Sequence, residues 1–234
     1  MALVASIILM IPISINWYSF LARSFSDDND TSVNPLEYKI LTDSTAAVSK
    51  CLYLGIDTIS IPEIISIEGK EYTVTSIGYR AFYNCSYLEN IEIPTTVKRI
   101  DVSAFKNCSH LENIEIPECV TIIGGHAFQN CSRLERIKIP ASVTSIEEST
   151  FNGCSKLRNV EIPESVTIIG KYAFQNCSSL YWIEIPTNVT KIEDYAFDGC
   201  NNPYVIIYYN SGDDVVIGYN AFKGCSFITY KYTE

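Results

Sequence analysis

Nine cysteines and two histidines are the residues of this chain that could do nucleophilic or metal chemistry. Seven of the cysteines, Cys85, Cys108, Cys131, Cys154, Cys177, Cys200 and Cys225, fall at steps of 23 residues, with a last step of 25. Cys51 and Cys119 stand outside that series. A nucleophilic thiolate must be accessible and lie beside its base. His110 follows Cys108 by two residues, but neither it nor His126 recurs with the series. The chain has no C-x-x-C pair of the kind that builds a zinc site. A disulfide needs Cβ atoms about 3.8 Å apart. A cysteine repeated once per stacked strand meets its neighbour at about 4.8 Å with parallel Cβ vectors, and seven cannot pair off. The spacing therefore predicts a column of buried, reduced thiols. No catalytic residue, metal site or cofactor is expected.

The elements that carry this column repeat with it. Phe82, Phe105, Phe128, Phe151, Phe174, Phe197 and Phe222 keep the same steps. Each unit then offers a leucine, such as Leu88 or Leu111, and an I-x-I-P run, such as Ile91/Ile93/Pro94 or Ile183/Ile185/Pro186. A valine and an isoleucine close it, as in Val97/Ile100. The alternation in L-x-x-I-x-I reads as a short strand with one face inward. The proline ends the strand, having no N–H to donate. A unit this short cannot bury its own apolar stripe, so the units must stack as a solenoid. A longer period lies within the first. Residues 121–140 match 167–186 at 14 of 20 positions but match 144–163 at only 8, which points to duplication of a 46-residue pair. The residue after the closing isoleucine alternates accordingly: Gly78, Asp101, Gly124, Glu147, Gly170, Glu193, Gly218.

The pattern A-F-x-x-C-S-x-L-x-x-I-x-I-P-x-x-V-T-x-I resembles the BspA-like leucine-rich repeats over roughly residues 36–230. The resemblance implies a leucine-rich-repeat solenoid of right-handed, 23-residue coils, β-rich, with short parallel strands and little α-helix. It implies no catalytic residue. Members of that family are common on the surfaces of host-associated bacteria and parasitic protists, where they act in adhesion.

The ends depart from the repeat. Residues 36–77 read as an N-terminal cap, in which Ile59, Ile61 and Pro62 imitate I-x-I-P and "IEGKEYTV" reads as a hairpin turning at Gly69. The repeats fill residues 78–234. In the last unit Pro203 replaces the leucine and Tyr208-Tyr209 replace Ile-Pro. Residues 1–22 carry no charge and suit a signal peptide or membrane anchor. They lack a preceding Lys or Arg and a clear A-x-A site, and Pro12 interrupts them, so a vestigial leader, a wrongly assigned start or a buried cap helix stays open. Residues 23–35 read as a polar linker. Any membrane contact is assigned to residues 1–22.

The net charge of −10 argues against a nucleic-acid partner. Six asparagine sequons occur, at Asn29, Asn84, Asn107, Asn130, Asn176 and Asn188. Four are N-C-S products of the repeat beside the expected buried cysteine, so Asn29 and Asn188 are the better acceptors. The exposed side of the strand is more informative. The residue between the two inward isoleucines points outward, and that column reads Glu92, Glu115, Lys138, Glu161, Glu184. Two positions before the first isoleucine stand Glu89, Glu112, Glu135, Arg158 and Tyr181. Between these columns come Asn90, Asn113, Arg136, Asn159 and Trp182, whose direction the pattern leaves open. Stacked glutamates repel by about 1–3 kcal/mol at effective dielectrics of about 80 to 20, and Lys138 interrupts the column. This face is either a solvated surface or an acidic stripe for a basic protein patch, anchored by Tyr181 and Trp182. The expectation is a non-enzymatic protein-binding solenoid, at the cell surface or secreted, with a host or matrix protein among the candidate ligands. The competing reading is a cytoplasmic scaffold or regulator using the same face.

Overall fold

Each 23-residue unit folds into one coil with a corner of tight turns and, in all but the coil of Glu115, two short strands. The structure is a computed structural model and describes residues 19–20, 35–201, 204–209 and 215–232. The expectations for the leader and linker therefore lie almost wholly outside the described residues. Of them, Ser19–Phe20 pairs antiparallel with Tyr38 and Lys39.

The I-x-I runs form the first ladder. Thr58–Ser60 pairs with Asn90–Glu92, and the strands Arg136–Lys138, Asn159–Glu161, Trp182–Ile185, Tyr204–Tyr209 and Phe227–Tyr232 follow in parallel order. The V-T-x-I runs form the second side in two laddered stretches, Arg99–Ile100 with Ile122–Ile123, and Ser145–Ile146 through Ile168–Ile169 and Lys191–Ile192 to Val216–Ile217. The third side has no strand. There the amide of each column phenylalanine from Phe82 to Phe197 donates to the next coil, as Phe105 does to Ala127 (2.8 Å) and Phe174 to Ala196 (2.7 Å). Backbone groups are thus paired between coils on all three sides, which a buried turn requires. No α-helix occurs among the described residues.

The core is a set of columns. Phe82 to Phe222 stack with ring centroids 5.1 to 5.6 Å apart and planes within 14° of parallel. The cysteine, leucine, isoleucine and valine columns pack beside them. Two glycine roles explain features of the sequence. The residue before each column cysteine has positive φ, from 60° at Asn176 to 91° at Gly224, so the column holds only Asn and Gly. The Gly/acid alternation has a packing cause. A Cβ on Gly124 would sit 2.6 Å from the Val102 nitrogen and 2.9 Å from the Asp101 carbonyl carbon. A coil with glycine thus seats itself on the backbone of the acidic coil before it, and two coils make one structural period.

The N-terminal cap replaces a preceding coil. Leu36–Ile40 pairs antiparallel with Thr45–Cys51, which in turn runs parallel to Lys70–Ile77. Ile64–Ile67 folds back on Lys70–Ile77. The hairpin turns at Glu68 (φ 52°) and Gly69 (φ 78°), both in the left-handed region that a two-residue hairpin loop favours.

The last unit corrects the sequence alignment by one residue. Val205 lies over Ile183 and Ile207 over Ile185, so Ile207, not Tyr208, takes the isoleucine position. Both Val205 and Ile207 are buried. The alternative register would turn Tyr208 into the core, and a one-residue slip moves every side chain to the other face. No residue in this strand plays the proline's part, and it runs for six residues.

Candidate functional site

The outward columns of the first ladder run the length of the coils, and all nine candidate residues lie on them. Glu92, Glu115, Lys138, Glu161 and Glu184 are exposed, each between apolar neighbours that are buried or, at Ile93 and Ile162, partly buried. Arg136, Arg158, Tyr181 and Trp182 are exposed as well. The direction of the intermediate column is settled by register. Thr58 pairs with Asn90, Asn113 with Arg136, Arg136 with Asn159, and Asn159 with Trp182, all alternating with buried residues and facing out.

That column continues past Trp182 into residues the sequence pattern did not flag. Trp182 registers with Tyr204, and Tyr204 with Phe227. Their ring centroids lie 6.3 and 4.9 Å apart, the second pair with planes 8° from parallel. Tyr181, Trp182, Tyr204 and Phe227 are 60%, 41%, 50% and 55% exposed. The face thus divides into an acidic, amide-bearing N-terminal part and an aromatic C-terminal part. The repeat could have revealed Tyr204 and Phe227, but Val205 follows Cys200 by one residue fewer than Ile183 follows Cys177, which put the alignment out of phase.

Pairing along the first ladder is uneven, and like charges coincide with only some of the gaps: the opposite charges of Glu115 and Lys138 also meet where a single Asn113–Arg136 bridge forms. Three or more residue pairs form where the outward partners are Ser60 and Glu92, Lys138 and Glu161, or Glu184 and Ile206. Only Asn159 and Trp182 pair where Glu161 comes over Glu184. The coil of Glu115 has no strand on this side, where its one ladder pair is the Asn113–Arg136 bridge. Like charges placed opposite one another weaken a strand pair. Lys138 does not turn to the glutamates of its own column. Its ammonium reaches Glu118 in the turn of the preceding coil, at 2.6 Å, and that bond holds the Glu118 carboxyl below its usual range.

Elsewhere the polar side chains satisfy one another. The Asn107 and Asn130 amides donate to Asn84 and Asn107 (2.7 and 2.9 Å), so three of the N-C-S asparagines form a ladder. Asn188 donates to the Glu164 carbonyl at 2.6 Å. His110 stacks on Tyr87 at 5.7 Å, while the Cys108 thiol turns to the Phe82 carbonyl at 3.0 Å, so the two do not form a nucleophile–base pair. His126 lies 3.0 Å from the Gln129 side-chain oxygen. Among the described residues no cluster of three or more His, Cys, Asp or Glu is arranged to hold a metal ion.

No disulfide joins any two of the nine cysteines in this structure. Each thiol from Cys108 to Cys200 donates to the phenylalanine carbonyl one coil back, at 3.0 to 3.2 Å. Burial pushes these thiols up, Cys154 to about 12. Cys225, at the end of the column, is half-buried.

Parallel ladders, stacked phenylalanines and a coil of 23 residues define a leucine-rich-repeat solenoid. The BspA type leucine rich repeat region matches in six copies, over residues 57–181 and 144–232, and the chain belongs to that family. The fold is similar to a leucine-rich repeat protein of T. pallidum, with 30% identity, a TM-score of 0.72 and coverage of 84% of this chain and 89% of that one. A leucine-rich repeat protein from Eubacterium ventriosum is 26% identical with a TM-score of 0.70, over 85% of this chain and 50% of that one. A leucine rich cell surface protein from Faecalibacterium prausnitzii shares the fold at 24% identity and a TM-score of 0.52, over 88% of this chain and 77% of that one. No curated protein matches the sequence.

Proposed function

We propose that this chain is a non-enzymatic protein-binding solenoid that works at the cell surface, in adhesion, through the outward face of its first ladder. The observation that carries the reading is the aromatic column Trp182–Tyr204–Phe227, exposed and in register beside Tyr181. Exposed Trp and Tyr are the side chains that most often dominate protein interfaces. The glutamates on the same face favour a partner with a basic patch and would steer its approach. The charge-free segment 1–22 and membership of a family met on cell surfaces support the location.

The experiment is to isolate a partner from host or matrix extracts and to measure its binding kinetics to variants. Trp182→Ala should weaken affinity by tenfold or more through faster dissociation. Glu92→Lys combined with Glu115→Lys should slow association and flatten its salt dependence. Unchanged binding in both, with the fold intact, would move the site to another side of the coil. Protease shaving of intact native cells tests the location, and protection of the whole chain would favour a cytoplasmic scaffold.

A further inference from the structure

Cys51 occupies a phenylalanine position. In the coils, the phenylalanine amide donates to the carbonyl of the residue before the next phenylalanine, as Phe82 does to Ala104 at 2.8 Å. In the cap, the amide that donates to Ala81 is that of Cys51, at 2.6 Å. Cys51 thus stands one coil before Phe82, although the 23-residue series does not reach it. Each later thiol finds a phenylalanine carbonyl one coil back. For Cys85 the residue one coil back is Cys51, and the two thiols are near enough to shift each other's titration, while the Cys51 thiol donates to the Tyr53 carbonyl at 3.5 Å. Both side chains are buried. They come from different elements and different columns, Cys51 from the cap strand Thr45–Cys51 at a phenylalanine position and Cys85 from the first coil corner at a cysteine position, so the fixed spacing between like positions does not govern them.

We infer that Cys51 and Cys85 are a disulfide site, and that their bridge staples the N-terminal cap to the first coil when the protein folds among disulfide oxidants. The step is thiol–disulfide exchange with a small-molecule disulfide such as oxidised glutathione. The Cys51 thiolate attacks one oxidant sulfur, the oxidant S–S bond breaks, and one thiolate leaves. The Cys85 thiol gives its proton to solvent and attacks the Cys51 sulfur of the mixed disulfide, and the second thiolate leaves. The two protein thiols lose two electrons, and the oxidant becomes two thiols that take up the two protons. The order of attack follows from the pair itself. The hydrogen that Cys85 holds toward Cys51 lowers the Cys51 thiol, whereas Cys51 and burial together raise Cys85. Exchange needs the cap to be open, during folding or by local unfolding. The bridge closes a loop that contains the strand Thr58–Ser60 and the hairpin, and so restricts the unfolded cap. This inference is independent of the strand face and its ligand.

The test is to refold the full chain in glutathione buffers from reducing to oxidising, quench with acid, alkylate under denaturing conditions and digest with trypsin. The expected product is one linked pair, residues 51–70 joined to 81–98, each peptide holding a single cysteine, with the other seven cysteines alkylated. Oxidised protein should melt about 5 °C or more above reduced protein. Cys51→Ser and Cys85→Ser should each abolish that difference, and Cys119→Ser should keep it. No linked peptide at the oxidising end would overturn the inference. So would a bridge from Cys51 to any other cysteine, or a redox-dependent melting shift that survives Cys85→Ser. The peptide map needs no variant, so it decides the question even if a serine variant fails to fold.

Discussion

The Cys154 thiol donates its hydrogen to the carbonyl of Phe128, 3.1 Å away and one coil back. The contact joins two columns and sets a pH limit on the fold. The bond needs the protonated thiol, and burial raises Cys154 from 9.0 to about 12. Its contribution is therefore whole below the unfolded thiol pKa and is lost as pH climbs through the folded value. Between about pH 9 and 12 each such thiol subtracts about 1.4 kcal/mol of stability per pH unit. Urea unfolding from pH 8 to 11 should show a steep loss. Cys154→Ser keeps a donor but not the titration, and its slope should be shallower by one proton. Parallel slopes for the two proteins would refute the buried-thiol account.

The phenylalanine stack makes a second prediction. Phe128 is buried between Phe105 and Phe151, at 5.3 and 5.6 Å. Phe128→Ala should cost about 3–5 kcal/mol, because the void opens onto both neighbouring coils. Glu115→Ala, on the outward column, should stay within about 0.5 kcal/mol. Chemical denaturation of the two variants side by side checks the assignment of inward and outward columns, which equal stabilities would contradict.

Coil seating is testable at glycine. Gly124→Ala should destabilise by about 1–3 kcal/mol, since its Cβ would press on the backbone of the acidic coil before it. Gly55→Ala is the control, because nothing lies within 4 Å of a Cβ there. It should be neutral or stabilise by up to about 1 kcal/mol. A Gly124→Ala variant as stable as the parent in thermal melts would mean that coil spacing gives way easily.

The acidic face should respond to salt. Glu115→Gln removes one charge from the stretch where ladder pairing lapses, and should stabilise by up to about 1 kcal/mol at low ionic strength. The gain should shrink in about 1 M salt, where the Debye length falls to about 3 Å. A gain unaltered by salt would point to packing rather than charge.

The sequence by itself determined the coil and its columns. Its period made each unit the neighbour of its own copy, so an apolar residue seen once per repeat had to meet itself in the next coil. Phe128 and Cys154 were legible as core for that reason, and so was the outward direction of Glu92 and Glu115. The tertiary structure decided what the repeat does not encode. Cys51 has no counterpart at the 23-residue step, and only the cap strand carries it to Cys85. The register of Val205 and Ile207 follows from which side chains can be buried, one residue earlier than the repeat count places them. Lys138 chose Glu118 over its own column because a long, exposed side chain reaches whichever carboxylate is nearest in space. The aromatic column became continuous only when that corrected register placed Tyr204 between Trp182 and Phe227. Repetition fixes contacts between like positions, whereas ends, caps and flexible surface charges meet unlike ones, and those contacts exist only in three dimensions.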